Sequence, residues 1–296
     1  MAIKVYMSTA GRPLDPAEAT ISVFDRGFLY GDSVYETLRT AGGEFVDMRR
    51  HLERLRKSAA GIGLEVPFSD QQIRRIVRET CDAAENPDSY IRIILTRGTG
   101  ALMIDPRVSG DPQLVVIVKQ LKRPPQELYE RGISAAIVDV LKPGRRQLDP
   151  SLKTGNYLNS ILALRQAIDD DAEDAILCNA AGAVAEGATS NVFMVSGGRV
   201  LTPSFETGLL KGITRTVVVE LAESLGLEVI ETTIMPDELR AADEVFLTSS
   251  VRGVMPVTRL DGVAVKGGGV GPVTRRLLLA YSEYIDAVAR GEGEGS

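Results

Sequence analysis

The chain has 296 residues, 44% hydrophobic and 25% charged, which is the balance of a folded protein long enough for two domains. Its formal net charge of −6, with no long basic run, excludes the electrostatic footprint of a nucleic-acid binder or of a protein held on an acidic membrane surface. With a single histidine, His51, multi-histidine zinc sites are excluded and no metal is expected; Cys81 and Cys178 fit no metal spacing and point to a reducing compartment.

In chain order, "MAIKVYMSTAGRPLD" lacks a signal-peptide h-region and no apolar run reaches membrane-spanning length, so a cytoplasmic location is expected. "KVYMS" and "TISVFD" read as strands. "GFLYGDSVYETLRTAGGEFVD" then reads as a strand, a Gly-Gly turn and a second strand. Asp47 is placed to cap a helix whose apolar stripe is Leu52, Leu55 and Ala59, ending near Gly61; Ser69 caps another running to about Glu85. "SYIRIILTRG" and "QLVVIVKQL" read as strands around the loop "TGALMIDPRVSGDP". The charged stretch with adjacent Pro124 and Pro125 reads as a linker over residues 122–131. A smaller N-terminal domain over 1–121, a larger C-terminal domain over 132–290 and a flexible tail over 291–296 are therefore expected.

Beyond the linker, "ISAAIVDVL" reads as a strand, and a helix follows with Leu158, Ile161, Leu162 and Ile168 on one side. "DAILCNAAGAVAEG" and "NVFMVSGGRVLTP" read as hairpins. A helix from about Thr214 to Leu225 has Val217, Val218, Leu221 and Leu225 on its buried side; the strand "DEVFLTSS" and a helix from about Pro272 complete the chain. "KGGGVGPVTRR" reads as a connection into that helix rather than a phosphate cradle. The chain has no G-x-x-x-x-G-K-[ST] and no G-x-S-x-G. Strands and helices mix without strict βαβ alternation, so two α+β domains with a cleft are expected.

Acid–base chemistry then falls to lysine, tyrosine, carboxylates or a cofactor. "DPSLKTGNYLNS" carries Lys153 as its one cation, with Tyr157 four residues on. Glu186 follows a hairpin strand in "AVAEGATSNVF", Arg54 flanks an apolar stripe, Gly212 and Thr214 stand at a helix start, and Ser249 and Ser250 end a strand. Singly, each has an ordinary structural reading as a solvated charge, a helix start or a turn. Together they match the needs of pyridoxal phosphate: a lysine for the Schiff base, a carboxylate for the ring nitrogen, a tyrosine for the phenolic oxygen, and an arginine, N–H groups and hydroxyls for the phosphate.

The ordered set "FDRGFLYGDSVYETLR", "HLERL", "YIRIILTRGTG", "LKTGNYLNSILA", "AEGATSNVF", "LKGITR", "ADEVFLTSS" and "MPV" resembles the class IV, fold-type IV aminotransferases across nearly the whole chain. These comprise branched-chain aminotransferases, D-amino-acid aminotransferases and aminodeoxychorismate lyases. The resemblance implies an α+β fold with a smaller N-terminal α/β domain and a larger C-terminal domain built on a pseudo-barrel sheet. It also implies cofactor between the domains and a homodimer with substrate contacts shared across it. By position, Lys153 resembles the Schiff-base lysine, Glu186 the pyridinium partner and Tyr157 the group on the phenolic oxygen. Arg54, Ile213, Thr214 and Ser250 match the phosphate cup, with Ser249 beside it.

For the substrate, "SYIR" resembles the branched-chain enzymes, giving Tyr90 and Arg92 to the carboxylate, and Tyr30, Tyr35 and Arg39 join the expected contacts. "SSVRG" departs from the branched-chain pattern and sets Val251 and Arg252 beside the substrate. The D-amino-acid enzymes share "VYE", "SNVF" and "LKGITR" but carry an arginine and a histidine in the loop after "TRGT", where this chain has Leu102 and Ile104. A D-enzyme would need Arg26, Arg92 or Arg252 instead. The order of expectation is a transaminase moving the amino group of a branched or hydrophobic L-amino acid to a 2-oxo acid, 2-oxoglutarate, by a ping-pong mechanism. A D-amino-acid transaminase comes second and a lyase third, with a non-catalytic cofactor-binding protein as the reading from a different class.

Overall fold

The computed structural model describes residues 2–292, so Met1 and residues 293–296, part of the expected tail, lie outside it. The chain divides into two compact units. The first takes Met1–Lys122, Leu152–Asn156 and the chain from Ile285; the second takes Arg123–Ser151 and Tyr157–Tyr284.

The first unit is an antiparallel six-stranded sheet. Its elements are β1 (Lys4–Met7), β2 (Arg12–Leu14), α1 (Arg26–Tyr30), β3 (Ser33–Ala41), β4 (Glu44–Phe45), α2 (Met48–Gly61), α3 (Asp70–Ala84), β5 (Ser89–Thr96) and β6 (Gln113–Gln120). The strand order is β2-β1-β6-β5-β3-β4. Strand alternation puts Val34, Leu38, Ile91, Ile93, Leu95, Val116 and Val118 on one face, and Leu52, Leu55, Ala59, Ile73 and Val77 of α2 and α3 close over it. α3 begins with a capping box, Ser69 accepting from the Gln72 N–H and Gln72 reaching back to the Ser69 N–H. Asp47 stands at the N-cap of α2, but in the left-handed region (φ 55°) and without a side-chain capping bond.

Residues 20–25, expected as a strand, form turns and irregular chain instead. Asp25 bridges to Thr99, its carboxylate accepts from Gly27 N–H to start α1, and Gly100 N–H donates to the Phe24 carbonyl. These bonds to the 98–100 loop leave no ladder for a strand to join. Because β4 is only two residues long, the first half of β3 has an open edge. Residues 153–155 fill it: Tyr35 N–H donates to the Lys153 carbonyl (3.0 Å) and Gly155 N–H to the Ser33 carbonyl (2.8 Å). A Cβ on Gly155 would overlap Ser33 Oγ, so glycine lets this segment lie against the strand.

The second unit contains α4 (Gln126–Arg131), β7 (Ile133–Val138), α5 (Leu158–Asp169), β8 (Asp174–Cys178), β9 (Val184–Gly187), β10 (Asn191–Ser196) and β11 (Arg199–Pro203). It continues with α6 (Ile213–Ser224), β12 (Val229–Thr232), α7 (Pro236–Arg240), β13 (Glu244–Ser249), β14 (Gly253–Leu260), β15 (Val263–Ala264) and α8, which opens at Pro272. Its sheet is mixed, in the order β12-β11-β10-β13-β14-β7-β8-β9, with β15 beside β14. β9, at one end of that order, also lies against β10 and β11 near the other, so the sheet curls into a half-barrel as the resemblance implied.

Two placements differ from the simplest sequence pattern. α5 meets β7 and β8 through Ala163 and Ala167, both fully buried, because the small side chains let helix and sheet approach closely. Its Leu158, Ile161, Leu162 and Ile168 side is exposed, by 67%, 60%, 41% and 60%. The start of α8, after the glycine run, is occupied by a carboxylate of the protein: Glu244 accepts from the N–H groups of Val273 (3.0 Å) and Thr274 (2.7 Å), and Gly271 leaves it room.

The two faces of α5 predict opposite responses. Ala167→Leu overpacks the helix–sheet contact and is expected to destabilise the protein by about 1–3 kcal/mol, whereas Ile168→Ala is expected to stay within about 0.5 kcal/mol. Urea unfolding of the two variants checks the assignment.

Candidate active site

Lys153 is fixed through its main chain. Its N–H donates to Ser58 Oγ of α2 (3.0 Å), its carbonyl accepts from Tyr35 of β3, and its Nζ lies 4.6 Å from the centroid of the Tyr35 ring. Arg92 of β5 stacks on the same ring, with its Cζ 4.1 Å from the centroid. The β3–β5 register sets Arg39 opposite Tyr90 and Thr37 opposite Arg92. Strand alternation therefore gathers Tyr35, Arg39, Tyr90 and Arg92 on the sheet face away from α2 and α3. These four were expected to meet substrate, and the fold brings them together. Lys119 Nζ lies 4.7 Å from the Tyr90 ring centroid, and the Nε of Arg92 is buried without a hydrogen-bond partner among the described residues. Tyr30 ends α1, 37% exposed, with the Arg26 guanidinium 5.2 Å from its ring centroid.

Beneath β3, Glu36 occupies a position between Val34 and Leu38 where alternation calls for an apolar side chain, and it is fully buried. Arg54, on α2, donates to it twice, Nε to Oε1 (2.8 Å) and Nη2 to Oε2 (2.7 Å), while His51 Nδ1 lies 2.7 Å from Oε2. Burial pushes the Glu36 carboxyl up, but the Arg54 guanidinium and the His51 bond outweigh it and hold it at about 2. Burial pushes His51 below its ordinary value, against the pull of Glu36, so its imidazole is neutral at pH 7.

The second unit carries the other expected group. Glu186, at the end of β9, accepts from Leu210 N–H at Oε2 (2.8 Å) and pairs with Lys142 Nζ at Oε1. Lys142 is delivered there because its own N–H bonds the Cys178 carbonyl at the end of the neighbouring β8. Asn191, at the start of β10, donates to the Leu210 carbonyl (2.9 Å). A Cβ on Gly212 would overlap the Asn191 side-chain oxygen, so the turn into α6 needs glycine. Ile213 and Thr214 form the first turn of α6, and its N-cap, Gly212, has no side chain to accept from it. Thr248, which pairs with Asn191 across β10 and β13, is buried with its Oγ1 lacking a partner among the described residues, and Ser249 and Ser250 follow it. Tyr157 stands at the N-cap of α5.

Two arginines offered by the sequence as carboxylate traps have internal partners. Arg26 is buried, with Nε on Asp32 (3.0 Å) and its two terminal nitrogens on the carbonyls of Met103 (2.7 Å) and Ile104 (3.1 Å). Arg97 shares Asp32 (2.8 Å), and the two guanidiniums outweigh burial and hold the Asp32 carboxyl below its usual range. Arg252, after Val251 in the β13–β14 turn, pairs with the buried Asp174 at 2.5 Å, and its carbonyl accepts from Tyr129. Sequence reasoning missed Glu36, Lys142, Asp32 and Asp174. Only Glu36 left a signal, a charge at a core-facing strand position.

The family model for class IV amino-transferases matches residues 33–260. A Methanocaldococcus jannaschii protein named "Putative branched-chain-amino-acid aminotransferase" is 38% identical over 281 residues, covering 95% of this chain and 96% of that one. A Bacillus licheniformis D-alanine aminotransferase is 33% identical over 275 residues, covering 93% and 95%. The solved T.th. branched-chain amino acid aminotransferase, complexed with N-(5'-phosphopyridoxyl)-L-glutamate, superposes with a TM-score of 0.91 at 28% identity, covering 99% of this chain and 97% of that one. The chain belongs to the class IV aminotransferases.

The Glu36 network predicts an acid limb of stability. A carboxyl held at about 2 in the fold against an ordinary 4.5 contributes on the order of 3 kcal/mol above pH 4.5, lost as pH falls through 4.5 towards 2. His51 acts in the same direction from higher pH, because below about 6.5 an unfolded imidazole takes a proton that the buried one resists. Denaturant unfolding of wild type and Glu36→Gln between pH 7 and 3 is expected to show a loss in wild type that is shallower in the variant.

Proposed function

We propose that this class IV enzyme is a pyridoxal-phosphate-dependent transaminase that takes the amino group of a branched-chain or hydrophobic L-amino acid and passes it to 2-oxoglutarate by a ping-pong mechanism. The observation that carries the substrate reading is the loop after β5. It displays Leu102, Met103 and Ile104 to solvent, at 68%, 49% and 83% exposure, where a carboxylate-trapping loop would carry cations. Arg26, one of the substitute cations, is engaged by the carbonyls of that same loop. The L-glutamate adduct of the T.th. enzyme supports glutamate and 2-oxoglutarate as one substrate pair.

The residues present fit the cofactor. The uncapped start of α6 and the unpartnered Thr248 hydroxyl suit an anion, and the second lone pairs of the Glu186 oxygens suit a pyridine N–H. When bound, the cofactor supplies a conjugated electron sink for the carbanion at the substrate's Cα. Lys153 would anchor it through Nζ, and the same amine would move the proton at the substrate's Cα. The main-chain bonds to Ser58 and Tyr35 limit that motion to the side chain. Glu186 holds the proton on the ring nitrogen, its orientation fixed by Lys142 and Leu210, and Tyr157 meets the phenolic oxygen. Arg54, the N–H groups of Ile213 and Thr214, and the hydroxyls of Ser249 and Ser250 hold the phosphate. Tyr30, Tyr35, Arg39, Tyr90, Val251 and Arg252 border the substrate, and Arg92 is the group for its carboxylate.

We also propose that the chain works as a homodimer in the cytoplasm. Among the described residues no helix is long and apolar enough to cross a membrane. Residues 21–30 and 98–108 are tied together by the Asp25–Thr99 bridge and the Arg26 bonds, and they expose the apolar side chains of Phe24, Phe28, Leu102 and Ile104. Surfaces of that kind mark protein contacts.

A second reading, D-amino-acid transamination, is favoured by the extended similarity to D-alanine aminotransferase. Visible spectra of the cofactor-loaded enzyme titrated separately with L-leucine and D-alanine decide between them. Conversion to the pyridoxamine form by L-leucine alone is expected, and conversion by D-alanine alone would overturn the L reading. Lys153→Ala is expected to lower turnover by at least about a thousandfold, and normal turnover would remove Lys153 from the chemistry. Phe28→Asp with Ile104→Asp is expected to halve the mass seen by light scattering.

A further inference from the structure

The buried carboxylate under β3 has no role in the chemistry above, yet both polar residues of α2 that face it converge on its two oxygens. We propose that Glu36 and His51 are positioning residues for the Arg54 guanidinium, fixing the direction in which it meets the phosphate of the cofactor; this rests on the reading of Arg54 as a phosphate ligand. Arg54 and His51 stand three residues apart on one side of α2, and both reach Oε2 of Glu36, at 2.7 Å each, while Oε1 takes Arg54 Nε at 2.8 Å. A two-point pairing fixes the plane of a guanidinium as well as its place. The third bond, from His51, stops the carboxylate from turning about its own axis. The depressed value of Glu36 keeps the pairing intact wherever the enzyme would work.

Two effects oppose each other if Glu36 loses its charge. Coulomb's law alone would tighten phosphate binding, because a nearby anion is gone. Against this, a glutamine turns an amide donor towards two donors, Arg54 and His51, and breaks the two-point pairing that fixes the plane of the guanidinium. The Arg54 side chain is 10% exposed, so it has a route to water, and alignment is the effect that wins.

The experiment uses the full chain freed of cofactor and compares its affinity for pyridoxal phosphate with that for pyridoxal, which has the same ring and aldehyde but no phosphate. Glu36→Gln is expected to weaken pyridoxal phosphate binding about tenfold, the scale of a charge-assisted hydrogen bond, and to leave pyridoxal unchanged. Equal weakening of both ligands, or unchanged or tighter pyridoxal phosphate binding, overturns the proposal. A second measurement needs no variant at Glu36. His51 is the sole histidine, so its imidazole gives one set of NMR signals. These are expected to shift with pyridoxal phosphate and with inorganic phosphate but not with pyridoxal; signals indifferent to phosphate overturn the proposal. Arg54→Met separates the underlying reading. If the preference for pyridoxal phosphate over pyridoxal is as large in that variant as in wild type, Arg54 is not a phosphate ligand and both readings fall together.

Discussion

The junction of β3 with α2 fixes the main chain of Lys153 in the first unit. Strand alternation sends neighbouring residues to opposite faces, so Glu36 points down to α2 while Tyr35 points up to Lys153. The two main-chain bonds that hold Lys153 come one from each partner of that junction, Tyr35 on β3 and Ser58 on α2. If α2 slid along β3, the two could no longer meet the same peptide. Apolar packing between Leu52, Leu55, Val34 and Leu38 holds helix to strand but tolerates small slips. The two-point pairing of Arg54 with Glu36 does not. A buried ion pair adds little net stability over a well-packed apolar pair; what the two-point geometry fixes is the plane of the Arg54 guanidinium.

The second unit solves the matching problem with a single residue. Both main-chain groups of Leu210 are held by side chains, its N–H by Glu186 from β9 and its carbonyl by Asn191 from β10. The loop entering α6 is thereby tied to two strands of the curled sheet, and the start of the helix stands at a fixed remove from the carboxylate. Lys142 completes the set by occupying the other Glu186 oxygen. Helix start and carboxylate are thus held in one frame by the chain itself, and preorganisation of this kind places the cost of ordering in folding rather than in binding.

What could be read in the sequence is what depends on neighbours in the chain. The stripe of Leu52, Leu55 and Ala59, the Ser69–Gln72 capping box, the two hairpins after α5 and the lysine with its tyrosine four residues on are all local patterns. What could not be read is pairing across the chain: Glu36 with Arg54, Lys142 with Glu186, Asp174 with Arg252. No periodicity announces which of many charges will meet. α5 shows a subtler limit. Its sequence offers two faces, one of leucines and isoleucines and one of alanines, and the sheet takes the alanines because they permit close approach. Residues 20–25 show the reverse error. They alternate like a strand, but Asp25 and Phe24 bond a loop instead of a ladder.

The pairing pattern also bears on where an anionic substrate group can be held. Arg26 and Arg97 share Asp32, Arg215 meets Glu231 and Arg252 meets Asp174, so these guanidiniums are matched by carboxylates of the protein itself. A substrate carboxylate binding any of them would have to displace that partner and leave it uncompensated, in several cases in a buried place. Arg92 is different. It stacks on the ring of Tyr35, which the Lys153 amine also approaches, and its buried Nε is without a hydrogen-bond partner among the described residues. An anion arriving there gains charge and donors and displaces no carboxylate. A chain of net charge −6 can therefore still offer a cationic place, because the cation it offers is one set against an aromatic ring rather than against its own acids.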